Sequence, residues 1–300
     1  MSELGFERSF RNWCEAREIR WERRRYRRPA AEGEVMAHRL VPPGEVRGGV
    51  LVVHGAGNDA LFSLTGIFGE LLERQLEVFT FDVDGHGRHS STTLRIASTA
   101  GAIPAAMEAW GTADRKMPLH AVGVSLGGSL LLHFLSHTAA EFSSATVVVA
   151  PLRVHLTWPA ILREIGSPMA RTLWRERARF GATGLIPSFG PFRREVYPLR
   201  LGDPPGPGAF GYVEVINTLL ERLDLPSAAT SVDVPVLLIY GGRDRLVPAA
   251  QGELLAATLP HAELLVLPGE THLSTPLHPM ARRRLVEWIA THHPAGWPAS

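Results

Sequence analysis

The stretch LHAVGVSLGGSLLLHFL, residues 119–135, is apolar almost throughout, yet it holds Ser125 between Gly123 and the pair Gly127–Gly128. Its first half alternates as a strand does, and its second half is rich in leucine like a buried helix. Read as one element, it has the length of a marginal membrane span, but its glycines, His120 and His133 argue against that. Read as two elements, it is a strand that turns into a helix at Ser125. Such a turn needs one residue in a strained backbone conformation, and small neighbours leave room for it.

The flanking sequence repeats the same alternation. EVMAHRL (34–40), GGVLVVHG (48–55), EVFTFDVDG (77–85), ATVVVAP (145–151), VPVLLIYGG (234–242) and AELLVLPG (262–269) read as strands. Helical spacing falls over 66–76, 100–114, 127–139, 248–258 and about 276–292. Strands alternating with helices predict a mostly parallel central sheet covered by helices on both faces. The chain divides accordingly into an arginine-rich N-terminal extension (1–33), a core (34–151 and 231–300) and an inserted helical cap (152–230). The insertion is too long for a simple connection, and in an open sheet it crosses the carboxyl ends of the strands, where ligands bind.

Composition narrows the classes of function. The chain has 300 residues, 45% of them hydrophobic, with a formal net charge of +1. That gives room for a sizeable core and no global attraction to nucleic acid. Arginine outweighs lysine almost completely, Lys116 being the sole lysine. The single Cys14 excludes an internal disulfide, and the charged amino terminus lacks the apolar run of a secretory signal. A cytoplasmic location with no membrane span is expected, and the sequence leaves oligomeric state open.

The chemistry starts at Gly123-Val124-Ser125-Leu126-Gly127, a G-x-S-x-G sequence set between a strand and a helix. This arrangement is a nucleophile elbow, which lifts the serine hydroxyl above the sheet edge. A serine needs a base, and the base needs an orienting acid. LLIYGGRDRLVP places Asp244 just past a strand, and LLVLPGETHLSTP places His272 in the loop after the next one. Both fall at the carboxyl end of the sheet, in the order Ser, Asp, His. In VVHGAGN, the backbone N–H of Ala56 can face an oxyanion together with that of Leu126.

Taken in order, HGAG, DVDGHGRHS, GVSLGG, GGRDRLVP and GETH resemble the α/β-hydrolase superfamily, and within it the monoacylglycerol lipase and serine aminopeptidase-like hydrolases. The resemblance covers roughly residues 35–295. It implies the α/β-hydrolase fold and a Ser125–His272–Asp244 triad. Two departures stand out: Val124 replaces a usual His or Tyr, and where relatives read R-G-H-G-x-S this chain has Asp84 in place of the arginine and His89 ahead of Ser90.

The resulting expectation is a serine hydrolase that cleaves a carboxylic ester through an acyl-enzyme, with no cofactor and no metal. The same triad also serves amidases, aminopeptidases, thioesterases, carbon–carbon bond hydrolases and acyltransferases, and a non-catalytic binding protein is a remote alternative. The expected partner is a small acyl substrate with an apolar group, lodged against the cap residues Trp158 and Trp174. Two further histidines, His54 and His86, are expected to fix loops through hydrogen bonds. The cap arginines, among them Arg153 and Arg200, read mainly as a solvated surface.

Overall fold

In a computed structural model, the structure describes residues 5–62, 64–111, 117–138, 142–155, 157, 159–160, 164, 200–202 and 208–294. The strands are β1 (Arg20–Arg28), β2 (Gly33–Val41), β3 (Gly48–Val53), β4 (Leu76–Phe81), β5 (Leu119–Val124), β6 (Ser144–Val148), β7 (Val236–Gly241) and β8 (Ala262–Leu267). They form an 8-stranded sheet in the order β1-β2-β4-β3-β5-β6-β7-β8. The pairs β1–β2 and β2–β4 are antiparallel, and from β4 to β8 every pair is parallel.

The helices are α1 (Gly5–Glu15), α2 (Thr65–Leu72), α3 (Ala102–Trp110), α4 (Leu126–His137), α5 (Gly208–Leu223), α6 (Leu225–Ala228), α7 (Ala249–Thr258) and α8 (Pro279–Thr291). The period-2 rule sends successive side chains of each buried strand to opposite faces. Leu51 and Val53 of β3 join the core under α3, α4 and α5. Val50 and Val52 join the core under α1, α2 and α8. A sheet buried on both faces explains why β3 and β7 read as continuous apolar runs.

Two segments are more ordered than their composition suggests. The arginine-rich β1 pairs with β2 along its whole length, from Arg20 opposite Val41 to Arg28 opposite Gly33. Ahead of it, Phe10 and Cys14 of α1 are buried in the core. The structure thus builds much of residues 1–33 into the sheet and its packing. Arginines suit an edge strand because their charge discourages pairing with another chain. The second segment is α5, where Val215, Ile216, Leu219, Leu220 and Leu223 are buried against the core that holds α4. Its Asn217 fixes the chain leaving β6, accepting from the Val154 N–H at 2.8 Å and donating to the Val154 carbonyl at 3.1 Å.

Candidate active site

Parallel strands end on the same side, so the loops after β3, β5, β7 and β8 converge. Ser125 sits between β5 and α4 with φ 53° and ψ −125°, a conformation rarely adopted by a residue with a side chain. Its neighbours explain how the turn is tolerated. A Cβ at Gly123 would lie 2.5 Å from the Gly128 Cα, and a Cβ at Gly127 would collide with the carbonyls of Val53 and His54. Hydrogen bonds hold the elbow at both ends: the Ser125 N–H donates to the Val148 carbonyl at 2.8 Å, and the Gly128 N–H donates to the Ser125 carbonyl at 2.8 Å.

The structure brings Ser125, His272 and Asp244 together. Ser125 Oγ lies 2.9 Å from His272 Nε2, and His272 Nδ1 lies 2.8 Å from Asp244 Oδ2. The carboxylate accepts a hydrogen bond from Nδ1–H, which leaves Nε2 as acceptor for the serine hydroxyl. Asp244 Oδ1 also accepts the Val247 N–H at 2.7 Å, so its turn locks its orientation. Its sequence neighbours Arg243 and Arg245 are exposed. Burial pulls the His272 pKa down, but the charge and hydrogen bond of Asp244, with the charge of Glu164, outweigh it and raise the pKa above its ordinary value.

His54 and His86 frame the loop that carries Ala56. His54 Nε2 accepts the Val83 N–H at 2.8 Å, and its Nδ1 donates to the Gly55 carbonyl at 2.7 Å. His86 Nε2 accepts the Gly57 N–H at 3.1 Å, and its Nδ1 donates to the Asp84 carbonyl at 2.9 Å. Ala56 is therefore clamped on both sides. Burial pushes His54 down to about 3 and His86 down to about 4, so both rings are neutral near pH 7. Leu126 opens α4, where the first-turn N–H groups have no acceptor one turn back within the helix.

Three features of the neighbourhood were not legible in the sequence. Glu164 is buried, and its carboxylate accepts the backbone N–H groups of His272 at 3.1 Å and Leu273 at 2.9 Å. The N–H groups that donate to it lie 108 and 109 positions away, so no local pattern marks it. Arg28, the last residue of edge strand β1, reaches the departing position Asp84 in the loop after β4. Arg200 is not a free surface cation: it donates to the carbonyls of Thr92, His86 and Gly87. Arg153 is exposed, 3.5 Å from Glu221. Trp158 and Trp174 lie outside the described residues. Among the described residues, no group of three or more His, Cys, Asp or Glu side chains is placed to hold a metal ion.

Fold and site together define a class, and comparison with known proteins agrees. The sequence model of the alpha/beta hydrolase family matches residues 50–287. The chain belongs to that family. It is 34% identical over 224 residues to a protein named pimeloyl-[acyl-carrier protein] methyl ester esterase from Xanthomonas campestris pv. campestris (strain B100), covering 69% of this chain and 83% of that one. Among solved structures, a hydrolase from Pseudomonas aeruginosa superposes with a TM-score of 0.63 at 17% identity, covering 89% of this chain and 98% of the other. A thermophilic esterase from Thermogutta terrifontis superposes with a TM-score of 0.61 at 18% identity, covering 91% and 99%. At these identities the superpositions speak for the fold.

Proposed function

We propose that Ser125, His272 and Asp244 hydrolyse a carboxylic ester through an acyl-enzyme. The chain is a serine hydrolase acting on carboxylic esters, and the observation that carries the residue assignment is the unbroken relay from Ser125 Oγ through His272 to Asp244. His272 Nε2 takes the hydroxyl proton as Ser125 Oγ attacks the carbonyl carbon. The N–H groups of Ala56 and Leu126 receive the charge that develops on the carbonyl oxygen. His272 then protonates the leaving alkoxide, which departs as an alcohol. In the second half, His272 takes a proton from water, the hydroxide attacks the acyl carbon, and Ser125 regains its proton as the acid leaves.

The substrate has a small alcohol on the leaving side and an apolar acyl group. The name of the curated relatives supports testing methyl esters first. The apolar acyl group would rest against the cap, residues 152–230, to which Trp158 and Trp174 belong. A cytoplasmic setting is part of the same proposal and is supported by the lone Cys14. Among the described residues, no helix is long and apolar enough to cross a membrane.

The test is a series of methyl and p-nitrophenyl esters with acyl chains of increasing length, assayed on the wild type and Ser125→Ala. Hydrolysis by the wild type alone, with the specificity constant rising as the acyl chain lengthens, is expected. Each buried methylene contributes about 0.8 kcal/mol, or roughly fourfold, until the pocket is filled. Cleavage of amides or thioesters in preference to every ester would overturn the reading.

A further inference from the structure

His272 belongs to a tight turn closed by the Thr275 N–H donating to the Thr271 carbonyl at 3.0 Å. Thr271 Oγ1 and Ser274 Oγ lie 3.2 Å apart, and the Thr271 N–H donates to Ser274 Oγ at 2.8 Å. These bonds satisfy the turn at Thr271 and at Thr275. They do not reach the N–H groups of His272 and Leu273, which at the start of such a turn have no acceptor within it. Glu164 supplies one oxygen to each, Oε1 to His272 and Oε2 to Leu273. With Glu164 only 3% exposed, a charge is held out of water against the backbone of the residue that must act as base.

We infer that Glu164 is a positioning residue for His272: a buried carboxylate from the segment following β6 that fixes the histidine-bearing turn through its backbone and adds a second negative charge beside the imidazole. The inference rests on the triad reading above. Its physical content has two parts. The two-pronged grip limits rotation of the turn, so His272 Nε2 stays within reach of Ser125 Oγ; a shift of about 1 Å in such a group can cost on the order of a hundredfold in rate. The charge favours the imidazolium that forms each time His272 accepts a proton. Among the described residues, the titratable groups facing the ring are Asp244 from the loop after β7, Glu164, and the Ser125 hydroxyl from the elbow.

The two parts separate experimentally. Glu164→Gln keeps the size but removes the charge, and its amide offers one oxygen to two donors. Glu164→Asp keeps the charge but shortens the reach. Both are compared with wild type and Ser125→Ala using p-nitrophenyl butyrate from pH 5 to pH 9. The rate of labelling by a fluorophosphonate is followed over the same range. For Glu164→Gln, kcat is expected to fall about threefold to tenfold with KM within about twofold. The acid limb of kcat/KM and of labelling should move to lower pH by about half a unit or more. Glu164→Asp should lose turnover while its acid limb stays with the wild type. A lowered kcat with an unmoved limb in Glu164→Gln marks a merely structural contact and overturns the inference, as does wild-type behaviour throughout. If Glu164→Gln does not fold, wild-type kcat in Glu164→Asp overturns it. Activity in Ser125→Ala would bring down the triad reading and this inference together; an inactive Ser125→Ala beside an unaltered Glu164→Gln defeats the inference alone.

Discussion

Arg28 and Asp84 form a buried ion pair, with guanidinium Nη2 2.7 Å from carboxylate Oδ2 and the two side chains 6% and 0% exposed. Arg28 Nε reaches the other oxygen at 3.3 Å, and Nη2 also donates to the Ser98 carbonyl at 2.8 Å. The pair ties the last residue of β1 to the loop that carries His86, and so joins the arginine-rich segment to the wall of the site. Asp84 is where the sequence departs from the R-G-H-G-x-S pattern of the resemblance, and its cation arrives from the edge strand.

Removing one partner of such a pair leaves an uncompensated buried charge. Arg28→Met is therefore expected to destabilise the protein by about 3–5 kcal/mol, and Arg28→Met with Asp84→Leu to recover most of that loss. Urea denaturation of the two variants checks this. A double variant no more stable than the single one would show that the pair holds the loop by geometry and that its charge balance is secondary.

The loop that carries Ala56 yields a second prediction. His54 and His86 grip the carbonyl of Gly55 and the N–H of Gly57, on either side of Ala56. His54→Ala should lower kcat about tenfold to a hundredfold while changing KM little, because the lost grip displaces an N–H that matters most as charge develops. Steady-state kinetics on a short-chain ester decide it. A raised KM with kcat intact would assign His54 to substrate binding.

These cases show where the sequence was informative. The glycines around Ser125, the turns after β7 and β8, and the apolar strand runs are local patterns with local causes. Sequence reading therefore anticipated the fold and the places from which Ser125, Asp244, His272 and Ala56 project. The contacts that support them were not legible in the same way. Arg28 and Asp84 are 56 positions apart, and Glu164 lies 108 from His272. Nothing in RRRYRRP distinguishes the one arginine that turns inward from its exposed neighbours. Helix α5 was hidden for another reason: it follows a glycine- and proline-rich loop, within a stretch read as a cap, yet its apolar face packs on the core.

Activity should rise with pH as His272 loses its proton. Burial works to lower the His272 pKa, but Asp244 and Glu164 overcome it, so the acid limb of kcat/KM should lie above the ordinary histidine value of roughly 6.5. The same raised pKa links to stability with a definite sign. The contribution is fully present below the unfolded-state pKa and is lost as pH rises through the folded one. Rate measurements between pH 5 and pH 9 on folded protein test the first statement. A limb centred below 6 would contradict it.

Asp59 and Asp82 are two buried carboxylates. Asp59 Oδ1 accepts the N–H groups of Leu61 and Phe62 at 2.9 and 2.6 Å, while Asp82 accepts the Ala60 N–H at 3.0 Å and the Ser90 hydroxyl at 2.6 Å. Burial raises both pKa values, and for Asp59 the charge of Asp82 adds to the rise. A carboxyl raised on folding favours the folded state when protonated, so stability falls as pH climbs from the ordinary carboxylate range toward neutrality. Asp59→Asn keeps an acceptor for Leu61 and Phe62 and removes one charge. Its Tm relative to wild type should therefore improve from pH 5 to pH 8. A difference in Tm that does not change with pH would show that the pair carries no such linkage.

The central claim is that Ser125 is the residue that becomes acylated, and one measurement reaches it without knowledge of the natural substrate. The protein is treated with a fluorophosphonate, residual hydrolysis of p-nitrophenyl butyrate is followed, and the modified residue is located by peptide mass spectrometry. The account predicts one label per chain on the peptide containing Gly123–Gly128, loss of activity in proportion to labelling, and no label on Ser125→Ala. A label on another residue, or hydrolysis that survives complete modification of Ser125, would contradict it.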